Sequence, residues 1–167
     1  MPNLLAKPEK ILAKLVDIQQ MVANAILIFM MAIITFDVIG RNLFNSPLKG
    51  TYELTELSSA LLVFFALAIT HRVGDHITVD FLTDRFTERN RNRIFGVIEI
   101  MIAVVLFSMA KHILDNGIRM MERNATTTDL ALPVHPFIFI IAFTILVFML
   151  TAIFKAIAYF RLAVNNE

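Results

Sequence analysis

From Ile18 to Phe36 the chain runs for nineteen residues without a charged side chain. At ~1.5 Å of rise per residue such a helix crosses a ~30 Å hydrocarbon core, and a soluble domain this small has no interior that would bury it on all sides. Three further apolar runs follow. Leu57–Thr70 is short by itself, but extended from Thr51 to Val73 it spans, with Glu53 and Glu56 at its mouth; a re-entrant segment is the alternative. Ile94–Ala110 is interrupted only by Glu99, and Pro133–Phe154 has His135 as its only titratable side chain. The composition agrees: 57% of residues are hydrophobic and only 17% charged, where a soluble domain carries about 25%. The expectation is an all-α integral membrane protein, one membrane domain over residues 1–167, with spans near 18–40, 51–73, 94–114 and 133–158.

The segments between the spans set the rest of the layout. Residues 4–17 put Ile11, Leu12, Leu15 and Val16 on one helical face and Lys7, Lys10, Lys14 and Asp17 toward the other, the pattern of an amphipathic helix in the headgroup layer. No small-residue cleavage site follows a short apolar core, so no removable signal peptide is expected. Asn45, Ser46, Pro47 and Gly50 break the first hairpin. The polar stretch 74–93 carries a smaller apolar set, Ile77, Val79, Phe81, Leu82 and Phe86, suited to a second interfacial segment. Pro133 suits the first turn of the last helix, behind the capping-type residues Thr126, Thr127, Thr128 and Asp129. With both termini cytoplasmic, the basic residues near the spans divide ten inside (Lys7, Lys10, Lys14, Arg72, Arg85, Arg89, Arg91, Arg93, Lys155, Arg161) and five outside (Arg41, Lys49, Lys111, Arg119, Arg123), the distribution the positive-inside rule favours.

Charge and residue usage exclude several classes of function. A net charge of +1 with dispersed Lys and Arg gives no nucleic-acid surface, and the absence of Cys removes disulfides and thiolate chemistry. No hydrolase triad, metal-binding helix or phosphate-cradling loop is present, so no enzymatic activity and no cofactor are expected. Membrane lipids are expected contacts, and the small residues Ser58, Ser59, Ala60, Ala66 and Ala68 permit close approach of another helix.

The informative polar residues cluster between Asp37 and Asp80. Asp37 and Arg41, four apart, share a helical face and can pair. Glu53 and Glu56 share another at a helix start, where their charge complements the dipole. A bridge from Arg41 to Glu53 or Glu56 is expected at the outer surface; ordinary helix-end charges are the competing reading. At the other surface, His71, Arg72, His76 and Asp80 mark a turn. Glu99 lies about a turn and a half inside the third apolar run, where a carboxylate is costly and finds a partner, with Arg72 or Lys155 as candidates. The four His residues raise a haem-binding alternative, with His112 and His135 as the pair on one side.

Taken together, Asp37-Val-Ile-Gly-Arg41-Asn-Leu-Phe44, Gly50-Thr-Tyr-Glu53-Leu-Thr-Glu56-Leu, His71-Arg72, Gly74-Asp-His76-Ile-Thr-Val-Asp80 and Leu130-Ala-Leu-Pro133 resemble the small membrane subunit of tripartite ATP-independent periplasmic (TRAP) transporters. The resemblance covers essentially the whole chain and rests on these blocks jointly. Tyr52 departs from it, standing where members often carry Trp. It implies a non-catalytic permease subunit in a bacterial inner membrane that scaffolds a large transport subunit, in sodium-coupled uptake of an organic acid delivered by a periplasmic binding protein. Asp37, Arg41, Tyr52, Glu53, Glu56, Arg72, His76, Asp80 and Glu99 are then candidates for architecture or docking. The alternatives are a stand-alone homo-oligomeric carrier and a haem-binding or purely structural four-helix membrane subunit.

Overall fold

The computed structural model describes residues 6–73 and 87–165. They form four helices: α1 (Ala6–Phe44), α2 (Thr51–Val73), α3 (Glu88–Glu122) and α4 (His135–Asn165). All four are long and apolar enough to cross a membrane. The expected surface segment after Val73, with Ile77, Val79, Phe81, Leu82 and Phe86, lies outside the described residues, as do His76 and Asp80.

Helix α1 is one continuous element of 39 residues, about 58 Å long. The expected division between an interfacial helix and a span near residue 17 is therefore not a break in the backbone. From Glu9 to Ile39 there is neither Gly nor Pro to interrupt the ladder. Helix α3 likewise outruns the expected span, reaching Glu122, because the polar residues after Ala110 are good helix formers or tolerated ones. It stops in a Schellman motif: Ala125 N–H donates to the Met120 carbonyl, Asn124 N–H to Met121, and Asn124 takes a positive φ of 48°. The last helix begins at His135, so Pro136 occupies the first turn and Pro133 stays in the preceding loop.

Helix α4 is the hub. It packs along α3, more lightly on α2, and least on α1, while α1 pairs with α2. Contact between α3 and α4 is close because Gly96 sits against Phe160 and Gly117 against Phe139 and Ile138. These two contacts define a single antiparallel register along both helices. On α4, Ala142, Ile145, Ala152 and Ala156 recur at helical spacing and are almost fully buried, a small-residue stripe that lets backbones approach where lipid offers no hydrophobic drive. The core they join includes Leu12 and Val16 of α1, Ala68 of α2, Leu106 and Ala110 of α3, and Phe148 of α4. Hydroxyls within the helices are satisfied locally: Thr70, Thr144 and Thr151 donate to carbonyls of their own helix. Large apolar side chains such as Met21, Ile28, Phe36 and Leu43 of α1, and Met101, Val104 and Phe107 of α3, point outward.

Candidate functional site

The ionisable residues form two polar layers, one at each end of the bundle. The loop end carries the 45–50 turn and the 123–134 loop; the terminal end carries the start of α1 and the end of α4.

At the loop end, Gly50 precedes α2 with a φ of +78°, a conformation that costs an L side chain about 1–2 kcal/mol. Its carbonyl accepts from Leu54 N–H, which makes Gly50 the N-cap and Glu53 the third residue of the helix. A glutamate there commonly folds back on its own cap. Here it reaches across instead: its two carboxylate oxygens accept from Asp129 N–H at 2.6 Å and Leu130 N–H at 3.1 Å. The side chain of Leu130 fills the space beside Gly50, where a Cβ would come within 2.4 Å of it. The loop is closed on itself as well. Thr127 N–H donates to the Leu132 carbonyl, Leu132 N–H donates to the Thr127 hydroxyl oxygen, and Val134 N–H donates to Ala125. Successive amides aimed at one carboxylate make an anion-binding concavity, and the residue it holds belongs to the protein itself. Glu53 is thereby buried, 7% exposed, although it opens a helix at the bundle's end.

Asp37 is the second buried carboxylate of this end. One oxygen lies 2.8 Å from the Arg41 guanidinium and the other accepts from Leu48 N–H at 2.9 Å. It therefore ties the last turns of α1 to the turn that follows. The pair expected from their spacing is present. The expected bridge from Arg41 to Glu53 or Glu56 is not: Arg41 is held by Asp37, and both oxygens of Glu53 are occupied by loop amides. Glu56 is exposed and forms no ion pair among the described residues, and Tyr52 is 77% exposed. Arg41, Tyr52 and Glu56 are the free-facing members of the set, and Asp37 and Glu53 the buried ones.

At the terminal end, Glu99 of α3 meets His71 of α2, with Glu99 Oε2 2.9 Å from His71 Nε2 and both residues buried. The imidazole also leans on Phe148 of α4, with ring centroids 4.9 Å apart. Lys155, one of the two expected partners of Glu99, sends its ammonium to the His71 backbone carbonyl, and its charge and that of Glu99 interact at longer range. The direct partner is thus His71, one residue before the other candidate, Arg72, whose side chain lies outside the described residues. One layer of polar groups from three helices closes on itself here. The contact between Met30 and Ser59 sets the α1–α2 register and brings Gln19 of α1 to the level of Thr70 and His71; both of its amide atoms are buried.

His71 as a partner and the loop amides as ligands escaped the sequence reading. A signal for the first existed, since His71 directly follows the second apolar run, Leu57–Thr70. The second had none, because backbone amides carry no residue identity. His112 lies on the exposed flank of α3, His135 packs edge-on against Phe139, and no group of three or more His, Asp or Glu among the described residues is arranged to hold a metal ion.

Two polar layers that tie helices together, separated by an apolar middle, define a multi-pass α-helical membrane protein whose buried carboxylates have partners within the chain. The chain matches the family model of tripartite ATP-independent periplasmic transporters, DctQ component, over residues 30–162, and it belongs to that family. It is the small permease component of a TRAP transporter, a transporter part and not an enzyme. A search among curated proteins found no match.

Proposed function

We propose that this chain scaffolds the large transport subunit in sodium-coupled, binding-protein-dependent uptake of an organic acid, of the sialic acid or dicarboxylate type, across a bacterial inner membrane with both termini in the cytoplasm. One observation carries this reading beyond the family: the buried ionisable groups are spent on each other and on the backbone. Asp37, Glu53 and Glu99 each have their partners within the chain, and they sit at two levels with Phe65, Leu106, Ala110 and Ile145 in the buried middle. A carrier handling sodium and a carboxylate needs uncommitted polar groups at the midplane. Scaffolding needs a stiff body with an apolar face left over, and the outward side chains of α1, Met21, Ile28, Phe36 and Leu43 among them, supply one.

In this reading the loop end faces the periplasm, as the ten-to-five distribution of basic residues supports. Arg41, Tyr52 and Glu56 then present a polar and aromatic surface to the binding protein, while Asp37 and Glu53 hold the turn and the loop beneath it. Arg72, His76 and Asp80 fix the cytoplasmic turn. Reconstitution in liposomes tests the assignment. Uptake of a labelled organic acid should require the chain, the large subunit, the binding protein and a sodium gradient together. Uptake by this chain alone would overturn it in favour of a self-sufficient carrier.

A further inference from the structure

Between α3 and α4, on the flank away from α2, runs an apolar groove of about 500 Å³ lined by Ile100, Val104 and Phe107 on one side and Ile153, Ile157 and Phe160 on the other. It follows α4 from Met149 to Phe160, about 16 Å of helix. Its lining is aliphatic and aromatic throughout. Two arginines flank the groove at its terminal end. Arg93 lies two turns before Ile100 on the same stripe of α3, and Arg161 lies one turn beyond Ile157 on α4. The register fixed by Gly96–Phe160 and Gly117–Phe139 brings the two arginines to nearly the same level. Both are exposed, and neither pairs with a carboxylate among the described residues; the nearby Glu88 is directed at Arg91.

An apolar channel flanked at one end by two guanidinium groups that meet no described carboxylate has the charge pattern of a phospholipid, tail and phosphate in that order. We propose that this groove binds one acyl chain of an anionic phospholipid, with its phosphate held between Arg93 and Arg161. A wholly apolar transmembrane helix fits the groove less well, because it would leave both cations desolvated at its end with no anion to meet them. Guanidinium groups present paired donors that match phosphate oxygens, which lysines would not do as well. With the terminal end in the cytoplasm, the site opens to the leaflet rich in anionic lipid.

Native mass spectrometry of the purified full chain, titrated with phosphatidylglycerol or phosphatidylcholine, tests this. The wild type should retain one phosphatidylglycerol in preference to phosphatidylcholine. R93Q/R161Q, two exposed changes that leave the packing intact, should weaken phosphatidylglycerol by about tenfold or more and phosphatidylcholine, whose phosphate is offset by its own ammonium, by much less. V104W, which fills the groove from its exposed wall, should weaken both lipids, and R119Q/R123Q at the loop end should change neither. Equal phosphatidylglycerol binding by R93Q/R161Q and wild type would overturn the proposal. So would loss of the bound lipid when the large subunit assembles, which would make the groove a protein interface.

Discussion

Two buried carboxylates, Glu53 at the loop end and Glu99 at the terminal end, solve the same problem with different materials. Glu53 is held by backbone amides of the 123–134 loop, Glu99 by the side chains of another helix. An amide ligand is present whatever residue carries it, so Glu53 depends chiefly on the loop's shape, with the Thr127 hydroxyl as a side-chain contribution. A side-chain ligand is lost with a single substitution, so Glu99 depends on His71 and Lys155 being those residues. The first arrangement fastens a loop to a helix end. The second joins α2, α3 and α4 within the span, where the alternative to pairing is a charge facing hydrocarbon.

The comparison predicts that damage at Glu99 is the larger. Glu99→Ala leaves His71 without its carboxylate in a buried layer and should cost roughly 3–5 kcal/mol, read as a lower midpoint in detergent unfolding followed by helicity. The double change H71L/E99L removes the hydrogen-bonded pair together and should be milder than the sum of the two single changes, because neither member is left without the other. Additive losses would show that the two side chains act independently and would break the contrast with Glu53. Glu53→Ala should leave the global midpoint less affected and act locally, with faster hydrogen exchange at the Asp129 and Leu130 amides while those of α4 stay protected. If the helices exchanged faster as well, the loop would be part of the bundle's stability and not merely fastened to it.

The same clasp has a second component. Gly50→Ala introduces a Cβ that meets Leu130 within 2.4 Å at a φ of +78°; the backbone strain alone should cost about 1–2 kcal/mol, and the crowding adds to it. Adding Leu130→Ala relieves the crowding and not the backbone, so G50A/L130A should recover only part of the loss. Full recovery would place the whole effect in packing.

Much of this was legible in the sequence because membrane insertion converts composition directly into structure. Four apolar runs gave four helices, and Asp37 with Arg41 at i,i+4 gave an ion pair, since both inferences need only local spacing. The extents of α1 and α3 were less legible, because polarity marks where a membrane ends and not where a helix does; Lys111 to Glu122 is polar and still helical. The partner of Glu99 required knowing which face of α2 turns toward α3, a property of packing. The Glu53 clasp was hidden for a different reason. Thr126, Thr127, Thr128 and Asp129 read as capping residues by type, yet the groups that matter are main-chain N–H groups aligned by the loop.

Arg41 gives the smallest expected effect on stability and the sharpest test of what the loop end is for. Its side chain is 62% exposed, and its pair with Asp37 is an i,i+4 contact at a helix end, worth about 0.2–1 kcal/mol. Asp37 keeps its acceptor role toward Leu48 N–H without the arginine, so Arg41→Ala should leave the unfolding midpoint almost unchanged. Asp37→Ala, by contrast, removes the acceptor and leaves the amide of a part-buried turn unsatisfied, which should cost more than the arginine change. Against that background, a measured fall in uptake or in binding-protein association for Arg41→Ala has no route through folding and must come from the exposed surface that Arg41 shares with Tyr52 and Glu56. Unchanged uptake with unchanged stability would instead confine the loop end to architecture, with Glu53 as its fastening and Arg41 as an ordinary helix-end charge.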